Sequence, residues 1–135
     1  MKKEYAELVK YRIEKAKITL MDAKEFFKGV SLESTVNRIY YAMFYAVNAL
    51  LITKGLFSSK HSGVRALFDK EFVKKGIVKK ESGRFYSEML DRRLKGDYKD
   101  FVMFEEKDVK VWIEKAEEFI KEIENLLRKE YPDES

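Results

Sequence analysis

The chain has 135 residues, enough for one hydrophobic core and too few for two independent ones. It contains no cysteine, which excludes a disulfide framework, a thiolate metal site and a cysteine nucleophile together, and which fits a reducing, cytoplasmic setting. The formal charge is +4, with 45% hydrophobic and 39% charged residues, so the composition is globular rather than disordered; the longest apolar stretch, Tyr40 to Thr53, is interrupted by Asn48 and too short to cross a bilayer.

Apolar residues at Val9, Ile13, Ala16, Leu20, Ala23 and Phe27 step by four and three, the signature of one helical stripe, and predict a first helix over about Lys3 to Lys28. Gly29 can stop it, and Ser31 can cap the next one. The second helix, about Leu32 to Lys54, repeats the rhythm at Val36, Tyr40, Met43, Val47 and Leu50. It also carries Ile39, Phe44, Tyr45 and Leu51 on other faces, and a helix apolar nearly all round sits at the centre of a bundle. A second line on it, Arg38, Tyr41, Tyr45 and Asn48, is aromatic and polar instead of aliphatic.

A short third helix is expected to start at Ser58 or Ser59, run through Val64, Leu67, Phe68 and Phe72, and stop near Gly76. A fourth, about Glu81 to Leu94, presents Phe85, Met89 and Leu90, with Gly96 as its break and a loop from Asp97 to Phe104 beyond it. The last helix, about Glu105 to Lys129, has the stripe Val109, Ile113, Ala116, Ile120, Ile123 and Leu127, and an acidic first turn suited to the helix dipole. No segment alternates long enough for a strand. The expectation is a single all-α, up-and-down helical bundle over residues 1–130, three long helices with a shorter pair between the second and the last, followed by a disordered tail at 131–135.

Charge is unevenly spread. Lys54 to Lys99 holds thirteen Lys/Arg against six Asp/Glu, a net +7, whereas Glu105 to Ser135 holds six against eleven, a net −5. Such a basic middle is either a polyanion-facing side or an ordinary solvated surface.

No Gly-rich phosphate loop, paired-histidine zinc motif or Gly-x-Ser-x-Gly elbow occurs, and the single histidine, His61, cannot be both acid and base within one subunit. No metal site or cofactor is expected. Three clusters carry what chemistry there is. Asn37 to Phe44 places Arg38 on a largely buried helix, where it must either pair with a carboxylate such as Asp97 or face an anion beside Tyr41 and Tyr45. Asp91 to Tyr98 sets Arg92 and Arg93 beside Gly96, Asp97 and Tyr98, either as cationic capping or as a phosphate clasp oriented by Asp97. Ser58 to Gly63 brings Lys60 and His61 to a helix start, where they either cap the surface or meet an anion.

In that order and spacing, Asn37-Arg38-Ile39-Tyr40-Tyr41-Ala42-Met43-Phe44, Lys60-His61-Ser62-Gly63-Val64 and Arg93-Leu94-Lys95-Gly96-Asp97-Tyr98 resemble the small archaeal and bacterial members of the HEPN superfamily, over about Tyr5 to Leu127. The resemblance implies a helical bundle, commonly a homodimer whose cleft binds RNA or nucleotide, often paired with a minimal nucleotidyltransferase as toxin and antitoxin. It also implies Arg38, Tyr41, Arg93, Asp97 and Tyr98 as ligand-binding residues, with Arg92 and Lys60 as additions. Nuclease members cut RNA without metal through an arginine followed four to six residues later by histidine. Here Arg93 is followed by Asp97 and Tyr98, and no arginine precedes His61 at that spacing. A catalytic pair is therefore expected only if the fold carries His61 to Arg93. The remaining possibility is a purely interacting module, with the Arg38, Tyr41, Tyr45 and Asn48 line as its interface.

Overall fold

The computed structural model describes residues 3–29, 31–98 and 103–130. Among them run α1 (Lys3–Phe27), α2 (Leu32–Ile52), α3 (His61–Phe68), a π-helical turn (Asp69–Val73), α4 (Lys80–Tyr98) and α5 (Glu106–Glu130), and none of the described residues is in a strand. The expected all-α bundle is the architecture observed. The side-chain pairs give its sense. Lys17 meets Glu124 and Lys24 meets Glu117, so α1 and α5 are antiparallel; Ser82 meets Glu122 and Arg92 meets Trp112, so α4 and α5 are antiparallel too. The expected tail at 131–135 lies outside the described residues.

The stripes read from the sequence are the ones buried. Val9, Ile13, Ala16, Leu20 and Ala23 of α1 and Val109, Ile113, Ala116, Ile120, Ile123 and Leu127 of α5 all lie in the core. Removing each large aliphatic side chain from water is worth roughly 1.5–3 kcal/mol. Helix α2 packs against α1, α3, α4 and α5, which is why it is apolar on several faces. Ser31 caps it by accepting the Ser34 N–H at 2.9 Å, and Gly55, at φ +68°, takes the left-handed turn after it.

The middle of the chain departs from expectation in three places. Helix α3 begins at His61, because Ser58 is engaged in the preceding turn, where its Oγ accepts the Lys60 N–H at 3.3 Å. It then passes directly into the π turn, closed by the Lys74 N–H on the Asp69 carbonyl at 2.8 Å, and the wider turn lets both Phe72 and Val73 face inward after Phe68. Gly96 does not break α4, which is no short helix but continues to Tyr98. Glycine costs about 1 kcal/mol against alanine inside a helix. That cost is offset by an Arg93–Asp97 bond of 3.0 Å spanning Gly96, and the missing side chain admits the Phe104 ring, whose Cε2 would stand 3.1 Å from a Cβ there. Of the expected loop from Asp97 to Phe104, residues 97 and 98 are helical, 103 and 104 are not, and 99–102 lie outside the described residues.

Candidate functional site

The functional candidates come together around one ring. Arg38 and Tyr41 are three residues apart on α2, hence on one face, and the Arg38 guanidinium carbon lies 5.2 Å from the centre of the Tyr41 ring. Arg93, arriving from α4, lies 5.3 Å from the same centre and 5.7 Å from that of Tyr40. His61, the first residue of α3, stands edge-on to Tyr41 at 5.6 Å. Three elements far apart in sequence thus deliver two cations and an imidazole to neighbouring rings, an arrangement stabilised by the attraction of guanidinium for aromatic faces.

A polar chain fixes the two arginines. Arg93 donates from Nε to Asp97 Oδ2 at 3.0 Å, and Asn37 donates from Nδ2 to the same oxygen at 3.3 Å. Arg38 donates from Nε and Nη2 to Asn37 Oδ1 at 3.2 and 2.8 Å. Asp97 therefore pairs directly with Arg93 and reaches Arg38 only through Asn37. One carboxylate holds two guanidiniums, leaving a local excess of one positive charge. The terminal nitrogens of Arg93 make no hydrogen bond among the described residues, yet they are not sealed from solvent. They are suited to the bidentate grip on a phosphate or carboxylate for which guanidinium geometry is matched.

Behind this face lies a row of bonded hydroxyls. Tyr40 and Tyr86 are 0% exposed, their oxygens 3.4 Å apart, and Tyr40 Oη lies 2.8 Å from His61 Nδ1. On the other side of the imidazole, Nε2 is 3.5 Å from Tyr41 Oη. Burial pushes the Tyr40 phenol up to about 12, and burial likewise raises Tyr86 well above the usual phenol range. Desolvation, with the positive charge of Arg93 beside it, lowers the His61 pKa, so the ring is neutral near pH 7.

Arg92 and Lys60 stand apart. Arg92 is 4.3 Å above the Trp112 ring of α5 and donates to Glu88 at 3.1 Å, which makes it part of the α4–α5 seam. Lys60 precedes α3 with an exposed side chain. The side chain of Tyr98 lies outside the described residues. Asn37, Tyr40 and Tyr86 belong to the group although they are not among the site residues expected from the sequence. The first two sit inside the run Asn37 to Phe44, but Tyr86 reads in the sequence as one more core aromatic between Phe85 and Met89. An open hollow of about 320 Å³ between α4 and α5, lined by Lys79, Ser82, Phe85, Lys115, Glu118 and Glu122 among others, shares no residue with the Tyr41 group. Its Glu122 is already engaged, accepting the Lys79 N–H and the Ser82 hydroxyl. Among the described residues no group of three or more His, Cys, Asp or Glu could hold a metal ion, and no helix is long and apolar enough to cross a membrane.

The charge asymmetry resolves into two parts. On α5, Glu117 and Glu124 neutralise Lys24 and Lys17 of α1, so part of the acidic end works within the fold. In the basic middle, Lys60, Lys70, Lys79, Lys80, Arg84 and Lys95 are exposed and form no ion pair among the described residues.

Known proteins are similar to this chain in sequence. A Thermotoga maritima protein bearing the name UPF0332 protein is 52% identical over 124 residues, covering 92% of this chain and 94% of its own. Two Methanocaldococcus jannaschii proteins, named as candidate toxins, are 31% and 34% identical over 127 and 128 residues, covering 94% and 95% of this chain and 86% and 95% of theirs. The sequence profile of the HEPN domain matches residues 9–126, a span that takes in α2, α3, α4 and every residue around Tyr41, and the chain belongs to the HEPN domain family.

Proposed function

We propose that the chain binds RNA or a nucleotide in the cytoplasm, through phosphate held by Arg38 and Arg93 with a base against the Tyr41 ring. The observation that carries this reading is the convergence of the two guanidiniums, at 5.2 and 5.3 Å, on one partly buried tyrosine. Cations and an aromatic face together are what a single-stranded nucleic acid needs, since its backbone is anionic and every base offers a stacking surface. The surplus of unpaired cations between Lys60 and Lys95 supports it. Fluorescence anisotropy with single-stranded RNA tests it: Arg93→Ala weakens binding in a folded protein, and an unchanged affinity removes Arg93 from the site.

A further part of the proposal is that the chain is the toxin member of a toxin–antitoxin-type pair, a role that the names of the M. jannaschii relatives support, with a minimal nucleotidyltransferase as its partner. Co-purification of the two proteins from a joint expression system tests it. A homodimer is the proposed assembly, supported by exposed Tyr11, Ile18 and Met21 on α1, and light scattering at the monomer mass would contradict it.

A second reading, a metal-independent RNA endonuclease using Arg93 and His61, is favoured by one observation. Although no histidine follows Arg93 in sequence, His61 rests against the same two tyrosines as Arg93. RNA cleavage that survives chelation and is lost in His61→Ala would support it; persistence in that variant would refute it.

A further inference from the structure

The row Tyr86, Tyr40, His61 has a direction, and proton accounting supplies it. A core asking only for volume would be served by phenylalanine at both tyrosine positions, whereas a buried hydroxyl demands a partner. The Tyr86 hydroxyl has one partner among the described residues, Tyr40 Oη at 3.4 Å. Were Tyr40 to donate to Tyr86, the Tyr86 proton would be buried without an acceptor. Tyr86 therefore donates to Tyr40, and the one Tyr40 proton goes to His61 Nδ1, 2.8 Å away. An Nδ1 that accepts leaves the proton of a neutral imidazole on Nε2. That Nε2–H faces Tyr41 Oη at 3.5 Å, a long contact like the 3.4 Å one from Tyr86 to Tyr40, and the Tyr41 ring is the one against which Arg38 and Arg93 lie at 5.2 and 5.3 Å.

We propose that Tyr40 is a positioning residue that holds His61 in its Nε2–H tautomer, making it a neutral hydrogen-bond donor to a phosphate oxygen gripped by Arg93, and not a base. This rests on the anion-binding reading above and deepens it. His61 has only one nitrogen with a free lone pair, Nδ1, and Tyr40 covers it. To accept a proton there the relay must reverse, turning the Tyr40 proton toward Tyr86 and orphaning the Tyr86 proton in the core. Burial, which holds the Tyr40 phenol near 12, also keeps that hydroxyl from giving its proton to the imidazole outright. The site is then a set of donors around one oxygen: guanidinium, imidazole N–H and the Tyr41 hydroxyl. Neutral His61 adds a hydrogen bond beside two cations without the repulsion a third charge would bring.

The single histidine makes the test direct. In full-length ¹⁵N-labelled protein, long-range ¹H–¹⁵N correlation reports which imidazole nitrogen bears the proton. Expected are an unprotonated, hydrogen-bonded Nδ1 and a protonated Nε2; an Nδ1–H tautomer overturns the proposal. Tyr40→Phe should release the ring into a mixture of tautomers, while Tyr86→Phe, a matching loss of one buried hydroxyl, should leave the tautomer intact because Tyr40 still faces Nδ1. Equal behaviour of the two variants overturns the assignment to Tyr40. Titration with inorganic phosphate should move the Nε2–H resonance together with Arg93 Nε. Movement of Arg93 alone refutes the donor role and spares the anion site, and movement of neither refutes both. His61→Gln, whose amide N–H can stand in for Nε2–H, should keep most of the phosphate affinity, against a loss of several-fold in His61→Ala; equal loss in both would contradict a neutral donor.

Discussion

The α1–α5 seam and the α2–α3–α4 junction are built from different chemistry. The stripes of α1 and α5, Val9 to Ala23 and Val109 to Leu127, are aliphatic and buried, and the two helices are joined at the rim by ion pairs such as Lys24 to Glu117 at 3.3 Å. At the junction the rings of Tyr40, Tyr41, Phe44, His61 and Tyr86 lie against one another, with hydroxyls and an imidazole bonded inside the packing. Buried polar atoms add little net stability even when satisfied, and cost more when they are not. The aliphatic stripes hold the bundle together; the junction carries polar groups that stability alone does not require, and it is where Arg38 and Arg93 come together, the Arg93 side chain only 11% exposed. The aliphatic seam and the candidate site thus occupy different parts of the bundle.

A core truncation in the seam should separate the two regions by the widest margin. Ile123→Ala, at a fully buried seam position, should lower stability by about 2–5 kcal/mol through lost contacts and a residual cavity. RNA affinity, measured below the melting temperature, should not change, and a large loss of affinity in the folded variant would mean that the two regions are coupled.

Next in size is the contrast between adjacent arginines. Arg93→Ala should reduce RNA affinity about 10- to 150-fold, the range for losing a charge-assisted hydrogen bond of roughly 1.5–3 kcal/mol. Arg92→Ala, one residue away but seated on Trp112, should leave affinity unaltered and reduce stability slightly, by about 0.5–1 kcal/mol. Equal effects on binding would erase the distinction. Salt is the next lever: with three or four phosphates neutralised on a single strand, affinity should fall roughly 20- to 50-fold between 50 and 200 mM salt. A flat salt response would place binding outside the basic segment.

The smallest effect is on pH. Desolvation and Arg93 hold His61 below its ordinary 6.5 in the fold, so as pH falls the unfolded chain takes up the proton first. The His61 contribution to stability is therefore intact above 6.5 and declines as pH drops from there toward the folded-state pKa. Denaturant unfolding at stepped pH should show this slope in the native protein and lose it in His61→Gln.

These contrasts also mark what was legible in the chain beforehand. Period-3.6 stripes such as Val109 to Leu127 read directly as buried faces, because an aliphatic seam is written in one local rhythm. Helix ends in the middle read less well. Gly96 looks like a stop to propensity alone, and only the bond from Arg93 to Asp97 and the approach of Phe104 explain why α4 continues. At the site, Arg38, Tyr41, Arg93 and Asp97 stood out as chemistry without a core role. Their meeting could not be read, since it depends on how α2, α3 and α4 pack. Arg92, equally conspicuous in sequence, lies one residue and about 100° further round the helix, enough to turn it toward α5. Tyr86 left no local mark, because a buried tyrosine and a buried phenylalanine follow the same pattern until the partner of the hydroxyl is known.

Binding of nucleic acid at the tyrosine junction, and not elsewhere on the bundle, can be read from side-chain chemical-shift mapping during titration with a short single-stranded RNA. Arg93 Nε, His61 Nε2 and the Tyr41 ring are expected to move together and saturate together. Saturating shifts confined to the Lys79, Lys115 and Glu122 hollow, with Arg93 and His61 unmoved, would contradict binding at the junction.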